Sequence, residues 1–224
     1  LDLLLDALAD RGMEYEVVED ALADESDFEF PSWDLDLDPE LGCIPTPGAL
    51  PTDFRAEDRD VLLVKSGISY DNGTAANYRT LLPFTIPVDG GPDVQIIVVR
   101  GYGATDITHQ GHTHRVVNTH FEIDDQSDPA SPINLIQAAQ ARELITVLEP
   151  ESLPLVVAGD FNSSPDPDDV TIAYELIVAA GYEDIWTQFK RRPGNTCCQV
   201  PDLMNSKSDL FKRIDLIFLR PSDE

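Results

Sequence analysis

The sequence predicts an α/β fold in which helices pack on sheets that are not purely parallel. Two observations predict it. Short apolar runs separated by turn residues follow one another along the first part of the chain, and two helical periodicities lie between the later apolar runs. A length of 224 residues suits one domain. We therefore expect residues 1–224 to form a single domain whose core needs no disulfide framework.

The first part of the chain is predicted to hold one helix and one strand before a long acidic segment. Apolar residues recur at helical spacing over residues 3–11, and Gly12 lies where a helix C-cap would be. Residues 15–18 predict a short strand. Residues 20–59 are rich in Asp and Pro and show little periodicity, so we expect an irregular acidic excursion there.

The acidic run at residues 34–38 has two interpretations. Asp34, Asp36 and Asp38 alternate with leucine, and carboxylate oxygens are the donors that Ca²⁺ prefers. The run lacks the glycine and the ligand spacing of an EF-hand loop. A solvated loop is therefore favoured, with Ca²⁺ binding as the alternative.

The remaining elements are predicted from apolar runs and from helical faces. Four strands come first, over residues 60–65, 81–86, 94–99 and 116–121. Helices at 132–149 and 170–180 then alternate with strands at 155–159 and 214–219.

The charge of the chain limits the kind of partner that it can bind. It has 42 Asp and Glu against 15 Lys and Arg, which gives a formal net charge of −27. Nonspecific nucleic-acid binding depends on Lys and Arg that displace counterions from phosphates. A phosphate substrate must therefore be held by metal ions or by a local cluster, because no broad basic face is available. Solubility in salty surroundings is the simpler interpretation of the same charge.

Polar residues end three of the predicted apolar strands. His120 lies near the end of one, Asp160 and Asn162 follow another, and Asp215 lies near the start of the last, between Ile214 and Leu216. Such groups are costly to desolvate unless they are paired, protonated or bound to a cation. Each has an ordinary structural interpretation when taken alone, such as an ion pair between Asp215 and Arg213.

Together these four residues fit the hydrolysis of a phosphodiester. The reaction needs negative charge on phosphorus to be stabilised and a water molecule to be activated. Asp160 and Asn162 offer oxygen donors for Mg²⁺, His120 offers a donor to a phosphoryl oxygen, and Asp215 offers a second acid. The sequence therefore predicts a catalytic set of these four residues, with Asp160 and Asn162 as metal ligands.

Three motifs follow one another along the chain: Asn118-Thr119-His120, Gly159-Asp160-Phe161-Asn162 and Arg213-Ile214-Asp215. In this order they resemble the endonuclease/exonuclease/phosphatase superfamily, whose fold is deoxyribonuclease I-like. A fourth motif, Thr196 to Gln199, resembles a bacterial and often exported branch of that superfamily, which weakly favours an extracellular or cell-envelope location.

This resemblance implies a fold, a cofactor and a role for each residue. The expected fold is a two-sheet α/β sandwich, incomplete at both ends, and the expected cofactor is Mg²⁺ or Mn²⁺, with Ca²⁺ as a further candidate. By carry-over, His120 contacts the scissile phosphate, and Asp160 acts on the attacking water as a base or a metal ligand. Asn162 orients water or phosphate, and Asp215 pairs with a histidine from the end of the domain.

The chain also departs from the pattern of the superfamily. A first-strand Asn, a metal-binding Glu and a terminal Ser-Asp-His motif have no counterparts here, so we expect the central part of the domain. Phosphodiester hydrolysis in nucleic acid is the preferred function. The alternatives are a phosphomonoesterase or phospholipase C-like enzyme acting on lipid or sugar phosphates, and a non-catalytic binding module.

Several further residues are weaker candidates. His109, His112 and His114 have a spacing that suits a metal, although Gln110-Gly111 favours a hairpin turn with exposed histidines. Tyr78 or Arg79 is a candidate phosphate contact, with an ordinary strand entry as the favoured alternative. Glu122 shares a strand face with His120, so it is interpreted either as a residue that touches the metal or as a surface residue. Cys43, Cys197 and Cys198 show no zinc spacing, which leaves one bridge to Cys43 or two buried free thiols as the alternatives.

Overall fold

The computed structural model describes residues 1–32, 35–38, 42–45, 52–86, 93–189, 193–199 and 204–222. The helices are α1 (Asp2–Ala9), α2 (Pro132–Leu148) and α3 (Ile172–Ala179), with 3₁₀ turns at Glu19–Ala21 and Ile185–Gln188. The strands are β1 (Tyr15–Val17), β2 (Ala23–Ser32), β3 (Leu35–Asp38), β4 (Gly42–Pro45), β5 (Thr52–Asp60), β6 (Leu63–Lys65), β7 (Ser69–Asn77), β8 (Leu82–Ile86), β9 (Val94–Val98), β10 (Gly101–His109), β11 (His112–His120), β12 (Leu155–Asp160), β13 (Glu183–Asp184) and β14 (Asp215–Arg220).

A six-stranded mixed sheet in the order β13-β14-β12-β11-β10-β7 is the largest sheet of the described chain. β10 and β11 form a hairpin, in which Gln110 and Gly111 take the positive φ that a tight turn requires. β11 and β12 run parallel and are joined through α2, whereas β14 runs antiparallel to β12. The other described strands pair as β1-β6, β2-β5, β3-β4 and β8-β9. The predicted α/β class with a mixed sheet is confirmed.

The main core lies between this sheet and α2. Val117 on β11 and Val157 on β12 are register partners, and both side chains are buried. Leu144 and Leu148 of α2 belong to the same buried cluster. Burial of each such side chain contributes about 1.5–3 kcal/mol relative to an exposed position, so this face fixes how α2 and the sheet meet.

β11 and β12 approach unusually closely near their carboxyl ends. A side chain at Gly159 would overlap the backbone oxygen of Thr119 on the neighbouring strand. Glycine is therefore required immediately before Asp160, because any Cβ there would push the two strands apart.

The start of α2 follows local signals in the sequence. Ser131 is the N-cap and its hydroxyl accepts from Ile133 N, while Pro132 occupies the first turn, where its missing N–H costs nothing. The predicted helices at 132–149 and 170–180 and the predicted strands at 155–159 and 214–219 agree with the structure to within two residues. None of the described helices is both long enough and apolar enough to cross a membrane.

Two long strands of the main sheet were not predicted. β7 and β10 have few large apolar residues, and most β7 side chains are exposed, so neither strand shows a strong alternation. Their positions follow from strand pairing: β10 pairs with β11, and β7 pairs with β10.

The acidic segment at 20–59 differs from the expected irregular excursion. β2 pairs antiparallel with β5, and β3 pairs with β4. The period of two in Asp27-Phe28-Glu29-Phe30 is a strand signal that the high acid content obscured. Asp34, the first residue of the Ca²⁺ alternative, lies outside the described residues.

Candidate active site

Three of the four predicted site residues lie side by side across the main sheet. His120 on β11 is the register partner of Asp160 on β12, and Asp160 is the register partner of Asp215 on β14. The ring nitrogen His120 Nε2 lies 3.8 Å from Asp160 Oδ2. Residues distant in sequence therefore meet at one end of three adjacent strands.

Buried aromatic residues anchor this end of the sheet. Phe121 follows His120, Phe161 follows Asp160, and both phenylalanine side chains are fully buried. Their ring centroids lie 5.2 Å apart in an edge-to-face contact, and Phe161 makes a similar contact with Phe218 at 5.0 Å. Such aromatic pairs contribute about 0.5–1.5 kcal/mol beyond the area that they bury, so the polar residues beside them are held on a rigid base.

Asn162 closes the site from the loop after β12. Its backbone has φ 46°, a left-handed conformation that Asn tolerates better than most residues. Asn162 N donates to Asp160 Oδ1 at 2.9 Å, and Asn162 Nδ2 donates to Phe121 O at 2.9 Å. The same Nδ2 lies 3.2 Å from His120 Nε2. Asn162 therefore contacts both strands that supply the site.

Arg100 is a site residue that the sequence interpretation missed. Its Nη1 lies 2.8 Å from His120 Nδ1 and 2.8 Å from Asp58 Oδ2, and its Nη2 lies 3.8 Å from Glu122 Oε1. The residue is only 8% exposed. Like the other candidates, Arg100 is a polar residue at the end of a predicted apolar strand, so the signal that found them applies to it as well.

The Arg100 contact determines which nitrogen of His120 carries the proton. A guanidinium can only donate, so His120 Nδ1 accepts and the neutral ring is protonated at Nε2. Asn162 Nδ2 is itself a donor and is directed to Phe121 O. On the side away from Arg100, His120 Nε2 faces Asn162 Nδ2 and Asp160 Oδ2.

The protonation of His120 and Asp160 is shifted in opposite directions. Burial, and then the Arg100 charge, lowers the pKa of His120 below 6.5, which favours the neutral ring. Burial, and then the Asp215 charge, raises the pKa of Asp160 above 3.8, against the lowering effect of the Asn162 hydrogen bond. Asp160 is therefore a stronger proton acceptor, once ionised, than an ordinary aspartate.

A buried side chain of α2 connects the two loops that carry the site. Gln137 Nε2 donates to Glu122 O and to Asn162 O, both at 2.8 Å. Gln140, one turn later, accepts from Glu122 N at 2.8 Å. Both glutamine side chains are fully buried. Amides on one face of α2 thus fix the backbone beyond His120 and the backbone of Asn162.

Asp215 does not form the ion pair with Arg213 that its sequence position suggested. Arg213 instead makes a buried two-point contact with Asp184, at 3.2 and 2.5 Å. Asp215 is exposed, and its backbone N–H donates to Thr196 Oγ1 at 3.1 Å. Strand pairing therefore places Asp215 next to Asp160. Arg213 instead stabilises the fold through its buried ion pair with Asp184.

The structure shows the surroundings of most of the weaker candidate residues. His109 and His112 face each other at the exposed β10-β11 turn, which confirms the hairpin interpretation. Tyr78 is buried, with its hydroxyl 2.6 Å from Thr119 Oγ1, which makes it a core residue. Arg79 is exposed and contacts Glu143.

Two further outcomes concern Glu122 and the cysteines. Glu122 is 2% exposed, so the surface interpretation of this residue is wrong. Cys197 and Cys198 lie next to each other on the segment before β14, and the pairing of the three cysteines stays a prediction.

The donor types of the site suit a divalent cation, although the geometry offers only part of a coordination sphere. Asp160 and Asp215 carry carboxylates at paired positions of β12 and β14, and Asn162 carries an amide oxygen. Within the part of the chain that the structure describes, no three His, Cys, Asp or Glu side chains are grouped to hold a metal ion. These residues can therefore contribute ligands but do not complete a site by themselves.

The model of the Endonuclease/Exonuclease/phosphatase family matches residues 25–223. A search of curated proteins found no match.

The solved structures to which the chain is similar share little of its sequence. The catalytic domain of human nocturnin is 15% identical at a TM-score of 0.45, with 98% of this chain and 64% of that one covered. A family protein from Bacteroides thetaiotaomicron is 17% identical at a TM-score of 0.44, with coverages of 73% and 55%. A mannosyl-6-phosphatase from the same organism is 17% identical at 0.41, with coverages of 73% and 57%. The chain thus spans 64% or less of each of these three structures.

Proposed function

The chain belongs to the endonuclease/exonuclease/phosphatase family, and from this premise we propose that it hydrolyses phosphodiester bonds, with nucleic acid as the substrate. Members of this family are usually hydrolases that act on phosphoesters. The alignment of His120, Asp160 and Asp215 across three adjacent strands is the observation that carries the proposal.

Each residue has a proposed role that follows from its contacts. His120 donates its Nε2–H to a non-bridging oxygen of the phosphate, because Arg100 occupies the other ring nitrogen. Asp160 accepts a proton from the attacking water. Asn162 orients that water or the phosphate. A bond forms between the water oxygen and phosphorus as the bond to the leaving oxygen breaks.

We further propose that Asp160 and Asn162 contribute ligands to Mg²⁺ or Mn²⁺, with the neighbouring Asp215 as a third donor. A bound divalent ion neutralises charge on the phosphate and lowers the pKa of bound water. The acidic composition makes such neutralisation necessary, since a net charge of −27 repels a phosphodiester.

The test is cleavage of plasmid DNA and of bis(p-nitrophenyl) phosphate by the full-length protein, with and without Mg²⁺ or Mn²⁺. His120→Ala and Asp160→Ala should each lower kcat by at least about 100-fold, whereas the exposed His114→Ala should leave it unchanged. Wild-type kcat in both site variants would exclude the proposed catalytic set.

A second candidate function is hydrolysis of lipid or sugar phosphates. The net charge of −27 favours it, because a small substrate needs no basic tract along its length. Activity on sphingomyelin or inositol phosphates, with none on DNA, would decide for this candidate.

A further inference from the structure

A cavity of about 330 Å³ lies between the end of α2 and the edge strand β7, and β10 also contributes to its lining. Thr74 on β7 and Ala104 on β10 are register partners, and both line it. Val147 of α2 and Glu151, which follows α2, line it as well. Small side chains on the two strands leave open space beside the helix, and the volume is within the range of small-molecule sites. We call this space the α2–β7 cavity.

The α2–β7 cavity lies on the opposite surface of the main sheet from the candidate active site. Tyr102 lines the cavity and pairs in register with Thr119, the residue before His120. Adjacent residues of a strand point to opposite faces, so Tyr102 and His120 lie on different surfaces of the sheet. A ligand in this cavity therefore does not contact the candidate catalytic residues.

The charged groups of the α2–β7 cavity carry an excess of negative charge. Arg115 lines the cavity, with its Nη1 2.8 Å from Asp106 Oδ1 and its Nε 3.4 Å from Glu151 Oε2. Its Nη2 donates to Thr74 Oγ1 at 2.9 Å. Two carboxylates therefore face a single guanidinium, and the whole chain has a net charge of −27. These charges repel an anion and attract a cation.

A further carboxylate lies next to Val147 on the side away from Glu151. Glu143 and Val147 are four residues apart on α2, so their side chains are neighbours on the helix surface. Burial, and then the charge of Glu143, raises the pKa of Tyr102. The ion pair of Glu143 with the exposed Arg79 is long, at 4.0 Å, so it neutralises little of this charge. The apolar Val147 thus lies between two carboxylates along this side of the helix.

We propose that the α2–β7 cavity binds a polyamine, an alkyl chain with ammonium groups at its ends. One ammonium group pairs with Glu151, and the other lies near Glu143 and the ring of Tyr102. The methylene groups between them cover Val147 and Ala104, which removes apolar surface from water. A neutral ligand would leave the carboxylates without a counter-charge, and a short monoamine would reach only one of them.

Titration calorimetry of the full-length, metal-free protein with spermidine tests this proposal. An ionic strength of about 0.15 M screens charges more than about 8 Å apart, which limits diffuse attraction to the acidic surface. Spermidine should bind at a single site, at least about tenfold more tightly than n-butylammonium, because only spermidine reaches both carboxylates. The uncharged 1,8-octanediol, which has the same chain length, should not bind measurably.

Two matched pairs of variants separate the cavity from the overall charge. Glu151→Gln removes a charge from the cavity, and Glu149→Gln removes the same charge from an exposed neighbouring position. Val147→Lys places a tethered ammonium group at the cavity wall, whereas Val178→Lys places one on α3, and the two valines are 41% and 42% exposed. Glu151→Gln and Val147→Lys should each weaken spermidine binding by about tenfold or more, while their controls stay within about twofold of the wild type.

The outcome is independent of phosphodiester hydrolysis, because the assay needs no substrate. Thermal unfolding of each variant checks that it is folded. Equal weakening by a cavity variant and its control would overturn the proposal, since binding would then follow net charge alone. Loss of binding in Asp160→Asn, with Val147→Lys unaffected, would place spermidine in the candidate active site and also overturn it. Octanediol that binds as tightly as spermidine would assign the cavity to an apolar ligand instead.

Discussion

Arg100 Nη1 lies 2.8 Å from His120 Nδ1, and this contact connects the end of the strand before β10 with the end of β11. It fixes the tautomer of the histidine and adds a positive charge beside a ring that is already largely buried. Both effects favour a neutral His120 that donates from Nε2.

Replacement of the arginine should therefore change the titration of the histidine. In Arg100→Met the pKa of His120 should rise, because the charge that lowers it is gone while Asp58 and Glu122 still raise it. NMR titration of the His120 ring measures the shift. Arg79→Met removes an exposed arginine and should leave the titration unchanged. An unaltered His120 pKa in Arg100→Met would contradict the contact.

The lowered pKa of His120 also predicts how stability depends on pH. The unfolded state binds a proton near pH 6.5, while the folded state resists it until a lower pH. The stabilisation of the folded state that His120 contributes is therefore fully present above about pH 6.5. It is lost as the pH falls through the pKa of His120 in the folded state. Urea unfolding between pH 7.5 and pH 5 should show a shallower decline for His120→Gln than for the wild type. Parallel curves would show that His120 is not the group responsible.

The charge of Asp215, at the start of β14, should affect the titration of Asp160 at the end of β12. Asp215→Asn removes a charge that raises the pKa of Asp160, so the pKa of Asp160 should fall. The carboxyl ¹³C signal of Asp160 reports the change. Asp2→Asn, in the first turn of α1, is the matched control and should have no effect on Asp160. A raised Asp160 pKa in Asp215→Asn would contradict the arrangement.

Gln137 should act on catalysis without touching the substrate. Gln137→Leu leaves Glu122 O and Asn162 O without their donor, so kcat should fall roughly 10- to 100-fold because Asn162 is displaced. Kinetics on bis(p-nitrophenyl) phosphate measure this effect.

Leu148→Ala is the control for lost stability in the Gln137 experiment. It opens a cavity in the core at the end of α2 and should cost about 2–5 kcal/mol of unfolding free energy while kcat stays near the wild-type value. Equal kcat losses in both variants at a temperature where both are folded would show a purely structural role for Gln137.

Gly159 is expected to be intolerant of any side chain. Gly159→Ala places a methyl group onto Thr119 O and should cost about 3 kcal/mol or more of unfolding free energy. Gly12→Ala, where nothing lies within 4 Å of the new Cβ, should cost only about 1 kcal/mol from its positive φ. Thermal unfolding measures both, and similar losses would argue against the close approach of β11 and β12.

The sequence predicted the parts of the fold that rest on strong apolar periodicity. α2, β12 and β14 have continuous apolar faces, and their predicted bounds agree with the structure to within two residues. β7 and β10 were missed because many of their residues are small or polar. The tendency of such residues to form a strand depends on the neighbouring strand as well as on their own sequence. The paired strands β2 and β5 were missed because acidic residues alternate there with apolar ones.

The candidate site could be predicted as a set of residues but not as a network. His120, Asp160 and Asp215 could be predicted because each is a polar residue near the end of an apolar strand. Burying an unpaired polar group there costs free energy, so such a position indicates a partner or a function. The contact of Arg100 with the histidine depends on strand order across the sheet. The contact of Gln137 with two loops depends on how α2 packs on the sheet. Local sequence patterns do not predict this packing, because Glu122 and Asn162 are distant from Gln137 along the chain.

The parallel pairing of β11 and β12 ties alignment of the polar groups to the apolar core. Val117 faces Val157 in the same register in which His120 faces Asp160. A slip of one residue would turn every side chain of the moved strand to the opposite surface of the sheet. Substitutions that keep the buried valine pair therefore also keep His120 opposite Asp160, three residues farther along both strands.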